Sequence, residues 1–331
     1  MEMSYSYDDF LTKDARCISI ESSSLESSPA SSPLISPKCS PVSIESTRRS
    51  YIAVTDGRQC DITDVYNISA TILGTGNYGC VRECQHRTTG ARCAVKTISK
   101  SKVSRYDQIL REIQLLRAVG DHRFVMRMID CFEDAEYVHI VTERYTGGEL
   151  FDRIVDNTHG RGCLAEDEAA RIIKSLLEAV AYLHGKNIVH RDIKPENILF
   201  ETNDWFSPVK LIDFGLSRRH EPNDSLMTNR VGTPYYMSPA VLRGKYDRSC
   251  DLWSVGIVAY ILLSGYPPFN GSTDVEVHDS VRIGDLVFED VIWGSLSRES
   301  RDFIRKLLSM DSSGIFCSAE EALRHPWMSC R

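Results

Sequence analysis

Three stretches of this sequence hold side chains that together could move a phosphoryl group. The densest is His190-Arg191-Asp192-Ile-Lys194-Pro-Glu196-Asn197, with Asp213-Phe214-Gly215 sixteen residues past its last member. Phosphoryl transfer needs a base near the accepting hydroxyl and oxygen ligands for magnesium. Asp192 can take the hydroxyl proton, Asn197 and Asp213 can hold metal ions, and Lys194 can neutralise charge on the moving group. The second stretch is Gly74-Thr75-Gly76-Asn77-Tyr78-Gly79-Cys80-Val81. Glycines there let the backbone approach phosphates without a Cβ clash. The same G-x-G-x-x-G opens dinucleotide sites, where a helix follows the glycines. Here Val81–Gln85 continues as a strand and Thr88-Thr89-Gly90 turns into another, so the stretch reads as a hairpin lid over a nucleotide. The third is Ala94-Val95-Lys96. A strand lysine is usually solvated, but Glu112 on the next helix offers it a carboxylate.

The elements that must position these residues follow from apolar spacing. Tyr66–Leu73, Val81–Gln85 and Arg92–Ile98 read as successive strands, and Val138–Thr142 as another. Asp107–Ala118 has helical spacing, with Ile109, Ile113 and Leu116 at i, i+4 and i+7, and Glu112 borders that buried face. After Gly147-Gly148 the chain turns helical. Glu168–His184 sets Ile172, Ile173, Leu176, Leu177, Val180 and Leu183 on one face, and Gly185 suits a stop. A β-rich first part and a helical second part predict an α+β protein of two lobes.

Composition narrows the class. The chain has 331 residues, 42% hydrophobic and 26% charged, with a net charge of −7. That balance fits an ordinary globular protein and argues against one that coats nucleic acid. No run of about 18 apolar residues occurs, so no membrane span is expected. The N-terminus, MEMSYSYDDF, lacks the basic flank and apolar stretch of a secretory signal, and its second residue is not Gly. The eleven cysteines are scattered without a zinc pattern and read as reduced intracellular thiols. Residues 1–64 are rich in Ser and Pro, with Ser28-Pro29, Ser32-Pro33, Ser36-Pro37 and Ser40-Pro41 in quick succession. Such a tail is expected to be disordered. Its Ser-Pro pairs are sites for a proline-directed kinase or the chance content of such a linker.

With these motifs in order, the chain resembles the eukaryotic protein kinases over about Tyr66–Met328. The resemblance implies the bilobal protein kinase fold, with a small β-rich N-lobe at about 65–145, a larger helical C-lobe at about 146–328, and ATP with magnesium between them. It implies that Lys96 contacts the α- and β-phosphates and that Glu112 holds it there. It sets Val81 and Ala94 above adenine and Leu199 below. It makes Thr142 the gatekeeper, runs the hinge from Glu143 to Tyr145, and puts Glu149 at the ribose. Met128, Leu116, His190 and Phe214 match the stack that links the lobes, and Asp251 matches the buried anchor of the catalytic loop. Lys194 and Gly232-Thr233-Pro234-Tyr235-Tyr236 are similar to serine/threonine kinases. Gly147–Ile154, Ser264–Phe269 and Ala322–Trp327 are similar to the calcium/calmodulin-dependent group. Glu149 and Glu196 then match positions that receive basic residues, which implies protein substrates with Arg about three residues before the target. The implied site is intracellular, cytoplasmic or nuclear.

The activation segment runs from Asp213 to about Pro239. Arg191 is available to pair with a phosphate there, at Thr228 or Ser225 through an upstream kinase, or the segment is ordered without one. The family ends this segment with Ala-Pro-Glu; here it reads Ser238-Pro239-Ala240. The late arginine that pairs with that Glu is missing from 311–318 as well. An apolar contact of Ala240 with Ile315 or Phe316 is expected in their place. No calmodulin-binding helix follows Met328 and no D-x-[DN]-x-[DN]-G loop occurs, so calmodulin binding is not supported by this chain. The alternatives are a pseudokinase scaffold that binds nucleotide without transfer and a small-molecule kinase of similar fold.

Overall fold

The structure, a computed structural model, describes residues 61–76, 79–102, 106–157, 163–310, 316 and 318–329. The Ser-Pro pairs, Asn77 and Ile315 lie outside the described residues. A short helix α1 (Ile62–Val65) leads into strands β1 (Tyr66–Gly76), β2 (Gly79–His86) and β3 (Arg92–Ser99). Helix α2 (Tyr106–Val119) follows, then β4 (Met128–Glu133) and β5 (Tyr137–Glu143). The strands form one antiparallel sheet in the order β1-β2-β3-β5-β4.

Period-two alternation splits this sheet into two apolar faces. Ile98, Val138 and Ile140 join Ile109, Ile113 and Leu116 of α2 in the main core. Val95 and Val141 point the other way and pack with Ile62, Tyr66, Cys84, Cys93 and Phe132. Residues 61–64, which composition puts in the tail, are therefore folded. Asp61 caps α1 by accepting from Thr63 N at 2.8 Å, and Asp64 returns a carboxylate to Asp61 N at 3.3 Å. A Ser/Pro count is blind to one apolar anchor and one cap.

The helical part comprises α3 (Leu150–Asn157), α4 (Glu166–Gly185), α5 (Pro239–Arg243), α6 (Ser249–Ser264), α7 (Asp274–Ile283), α8 (Asp290–Trp293), α9 (Arg298–Leu307) and α10 (Ala319–Ala322). Helix α4 buries the stripe expected of it, and three acids in its first turn suit the positive end of its dipole. Helix α6 is buried on every side from Cys250 to Ser264, so it serves as the hub of this lobe. Between α4 and α5 the chain forms two small antiparallel ladders. Strand β6 (Ile188–Val189) pairs with β9 (Arg218–Arg219), and β7 (Ile198–Phe200) pairs with β8 (Val209–Leu211). One continuous core runs from α2 through Phe214 to α4 and α6, joining the two lobes.

Candidate active site

The loop from β6 to β7 holds His190 to Asn197, and α6 fixes it from beneath. Asp251, wholly buried in the first turn of α6, accepts from His190 N at 2.9 Å and from Arg191 N at 2.8 Å. His184 at the end of α4 sits on the same carboxylate, Nε2 to Oδ2 at 2.9 Å. Burial alone would raise the Asp251 carboxyl; His184 and the surrounding donors outweigh it and hold the group below the usual carboxylate range. These bonds also hold Arg191 at a φ of 69°, a left-handed conformation costly for any residue with a Cβ.

Asp192 is nearly buried and its two oxygens are already oriented. Oδ1 accepts from the Thr233 hydroxyl at 3.0 Å, and Oδ2 from Asn197 Nδ2 at 3.0 Å. Lys194 Nζ lies 3.5 Å from Oδ2 and donates to Thr233 Oγ1 at 2.9 Å. Asn197 spends its amide N–H groups on Asp192, the second on the backbone carbonyl at 2.8 Å, which leaves its side-chain oxygen as an acceptor. Asp213 Oδ1 accepts from Gly215 N at 3.0 Å and lies 3.8 Å from Lys96 Nζ. Lys96 holds the Asp213 carboxyl below its ordinary range. An amide oxygen and an ionised carboxylate are the hard donors that magnesium accepts, so Asn197 and Asp213 fit that ion.

Across the cleft, Lys96 Nζ reaches Glu112 Oε1 at 2.7 Å. Burial works against the ammonium, but Glu112 and Asp213 outweigh it and raise Lys96 above its usual value. Pairing of β1 with β2 brings Gly74 opposite Val81, Thr75 opposite Cys80 and Gly76 opposite Gly79. The glycines serve different ends. A Cβ on Gly79 would sit 1.8 Å from Thr97 O, whereas one on Gly74 would meet nothing within 4 Å. Gly79 is small for packing, and Gly74 leaves open room. Ala94 pairs with the buried Thr142, and Tyr145 donates to Glu143 Oε2 at 2.9 Å. A bridge between Glu149 and Leu199 ties the start of α3 to β7. His190 and Phe214 meet edge to face at 5.2 Å, with Leu116 and Met128 in the same apolar body.

Glu149 and Glu196 lie close enough to repel each other, and Lys194 only partly offsets their charge. Desolvation, then Asp152 and Glu196, push the Glu149 carboxyl up to about 7. Burial also raises Glu196, whose Oε2 is buried with no hydrogen-bond partner among the described residues. In the activation segment, Ser225 and Thr228 are exposed and Met227 is buried between them. The end of that segment departs from expectation. Phe316 packs on Phe303 and His325 in the main core, whereas Ala240 borders a separate cluster of Val189, Met227, Val241, Tyr246 and Cys250. Phe316 turns inward because ring partners are available there. Ser238 gains a cap: its hydroxyl accepts from Val241 N at 3.2 Å and starts α5. The sequence marks Thr233 only as part of a family-like segment, and the contacts of Thr233 with Asp192, His184 with Asp251 and Tyr246 with Arg191 span 41 to 67 residues and leave no local spacing.

The protein kinase domain model matches residues 67–328. The chain is 41% identical over 281 residues to calcium-dependent protein kinase 3 of Plasmodium berghei (strain Anka), covering 85% of this chain and 49% of that protein. It is 44% identical over 261 residues to calcium-dependent protein kinase 4 of Plasmodium falciparum (isolate 3D7), covering 78% and 48%. Calcium-dependent protein kinase SK5 of Glycine max is 40% identical over 274 residues, covering 82% and 53%. The chain belongs to the protein kinase family. Within it, the chain falls with the serine/threonine kinases of the calcium/calmodulin-dependent-like group. It spans about half the length of the curated relatives it matches. The residues whose loss marks a kinase-fold scaffold, Lys96, Asp192 and Asp213, are all present, and the scaffold alternative finds no support. No described helix is long and apolar enough to cross a membrane.

Proposed function

We propose that this kinase transfers the γ-phosphoryl group of ATP to serine or threonine hydroxyls that follow an arginine by about three residues. Bound ATP supplies the phosphoryl group, and magnesium shields its charge. The chain supplies the rest. Asp192 accepts the hydroxyl proton as the new phosphorus–oxygen bond forms and the bond to the bridging oxygen of ADP breaks. Lys194, beside it, offsets charge on the group in flight. Lys96 steadies the α- and β-phosphates, and Glu112 steadies Lys96. Asn197 and Asp213 hold magnesium. Val81, Ala94 and Leu199 enclose adenine, Thr142 limits the back of its pocket, and the backbone from Glu143 to Tyr145 bonds its edge.

The observation that carries the choice of substrate is the unpartnered buried oxygen of Glu196 beside a Glu149 pushed to about 7. A buried acceptor without a donor costs roughly 1–3 kcal/mol, and a guanidinium would supply the donors and the charge together. The relatives' names attach calcium dependence to proteins of which this chain covers about half; the proposed transfer needs only the two lobes. Unbridged thiols at Cys80, Cys84, Cys93, Cys131 and Cys250 support a reducing compartment, cytoplasm or nucleus. The test is a pair of serine peptides, with and without the upstream arginine. Glu196→Gln should raise KM at least about tenfold for the first and leave the second unchanged. Equal changes for both would remove Glu196 from substrate choice.

A further inference from the structure

Arg191 stands immediately before Asp192, and separate parts of the chain hold each of its groups. Its N–H donates to Asp251. Its carbonyl lies where a Cβ on Gly232 would come within 2.9 Å, and Gly232 itself sits at a φ of 120°. Its guanidinium donates from Nε to Leu216 O at 2.7 Å and from a terminal nitrogen to the Tyr246 hydroxyl at 3.1 Å. The residue that aims Asp192 is thus set by α6, by the activation segment and by Tyr246.

Tyr246 lies on the turn between α5 and α6 and is only 2% exposed. Its hydroxyl accepts from Arg191 and donates to Asn229 O at 2.7 Å. Its backbone pairs both ways with Met227, at 2.8 and 3.1 Å. Its ring sits in the small apolar cluster that Ala240 borders, apart from the main core. A buried tyrosine needs partners for its hydroxyl, and here the two partners come from the catalytic loop and the activation segment.

We infer that Tyr246 is a positioning residue for phosphoryl transfer, its hydroxyl linking Arg191 to Asn229 and holding the activation segment ordered without a phosphate at Ser225 or Thr228. The inference rests on the kinase reading above and names the regulation of that same site. A phosphorylated residue orders such a segment by offering oxygens to an arginine. In this chain two oxygens, Leu216 O and the Tyr246 hydroxyl, already take N–H groups of that arginine. The cluster around Tyr246 also anchors the end of the segment, where the family's Glu–Arg pair is missing. Ala240 borders that apolar cluster instead of demanding a charge partner.

The experiment compares the full chain with Tyr246→Phe and with the double variant Ser225→Ala, Thr228→Ala. Each is measured for kcat and KM on an Arg-x-x-Ser peptide and for amide hydrogen exchange over residues 225–233. Loss of the hydroxyl should lower kcat about tenfold through misplacement of Asp192, with KM for ATP within about twofold. Exchange over the segment should quicken at least about fivefold. The double alanine variant should match the parent in both. Unchanged exchange in Tyr246→Phe overturns the clamp, and faster exchange with unchanged kcat overturns the positioning role. A double alanine variant as impaired as Tyr246→Phe shows that phosphate does the ordering, and also overturns it. The exchange arm needs no transfer, so it decides the inference even where the parent moves no phosphate, an outcome that would strike the kinase reading itself.

Discussion

The two halves of the cleft are built to different tolerances. On the C-lobe side, a wholly buried carboxylate takes two backbone N–H groups and a histidine, and Asp192 has both oxygens occupied. On the N-lobe side, Lys96 is held mainly by Glu112 across one ion pair whose lysine is 35% exposed, and β1 breaks register twice before its glycines. Asp192, proposed to meet the reacting hydroxyl, is held on both oxygens before any substrate arrives. Lys96, proposed to meet the phosphates, keeps room to adjust. Buried, fully bonded groups resist displacement, whereas a partly exposed pair contributes little to stability.

That contrast can be broken most severely at Asp251. Asp251→Ala strands the N–H groups of His190 and Arg191, and should cost about 3–5 kcal/mol by denaturant midpoint, together with most of the activity. A loss below about 1 kcal/mol would mean that the loop is held by something else. On the other side, Glu112→Gln should reduce kcat/KM about a hundredfold, since Lys96 loses its brace. Its stability should fall by less than at Asp251, because Lys96 is partly exposed and the neutral amide can still accept its hydrogen bond. A stability loss as large as at Asp251 would erase the difference between the two sides.

A gentler probe uses pH. Glu149 with a carboxyl near 7 is mostly protonated at pH 6 and mostly ionised at pH 8, and only the ionised form attracts guanidinium. KM for the Arg-containing peptide should fall about tenfold as pH rises across that range. Glu149→Gln should flatten the dependence, and an identical slope for a peptide without arginine would contradict the assignment. The smallest effect is at Ser238→Ala, where loss of the α5 cap should lower stability by about 1 kcal/mol and leave kcat within about twofold. A larger loss of kcat there would tie this cap to the activation segment's function.

Much of this was legible in the sequence because the chemistry is local. The Asp192-to-Asn197 spacing, the glycine run and the apolar stripe of α4 each lie within one loop, one hairpin or one helix. Strand β4 was harder, since Met-Ile-Asp-Cys-Phe-Glu shows no clean alternation and takes its burial from β5. The supports were harder still. Tyr246 stands in a polar run, Lys245-Tyr-Asp247-Arg248, and meets Arg191 only through a turn 55 residues away. The contact expected between Ala240 and Phe316 is absent for the same reason, since which apolar body a residue joins is decided by tertiary neighbours, while its Ile315 alternative lies outside the described residues.

Asp192 is proposed to be the base of a phosphoryl transfer to an arginine-flagged serine. The direct measurement is phosphate transfer from ATP with magnesium to an Arg-x-x-Ser peptide, by the full chain and by Asp192→Asn. Robust transfer is expected from the first and a loss of about a hundredfold to ten-thousandfold in the second, with ATP binding and melting temperature kept. Equal transfer by both proteins would contradict it.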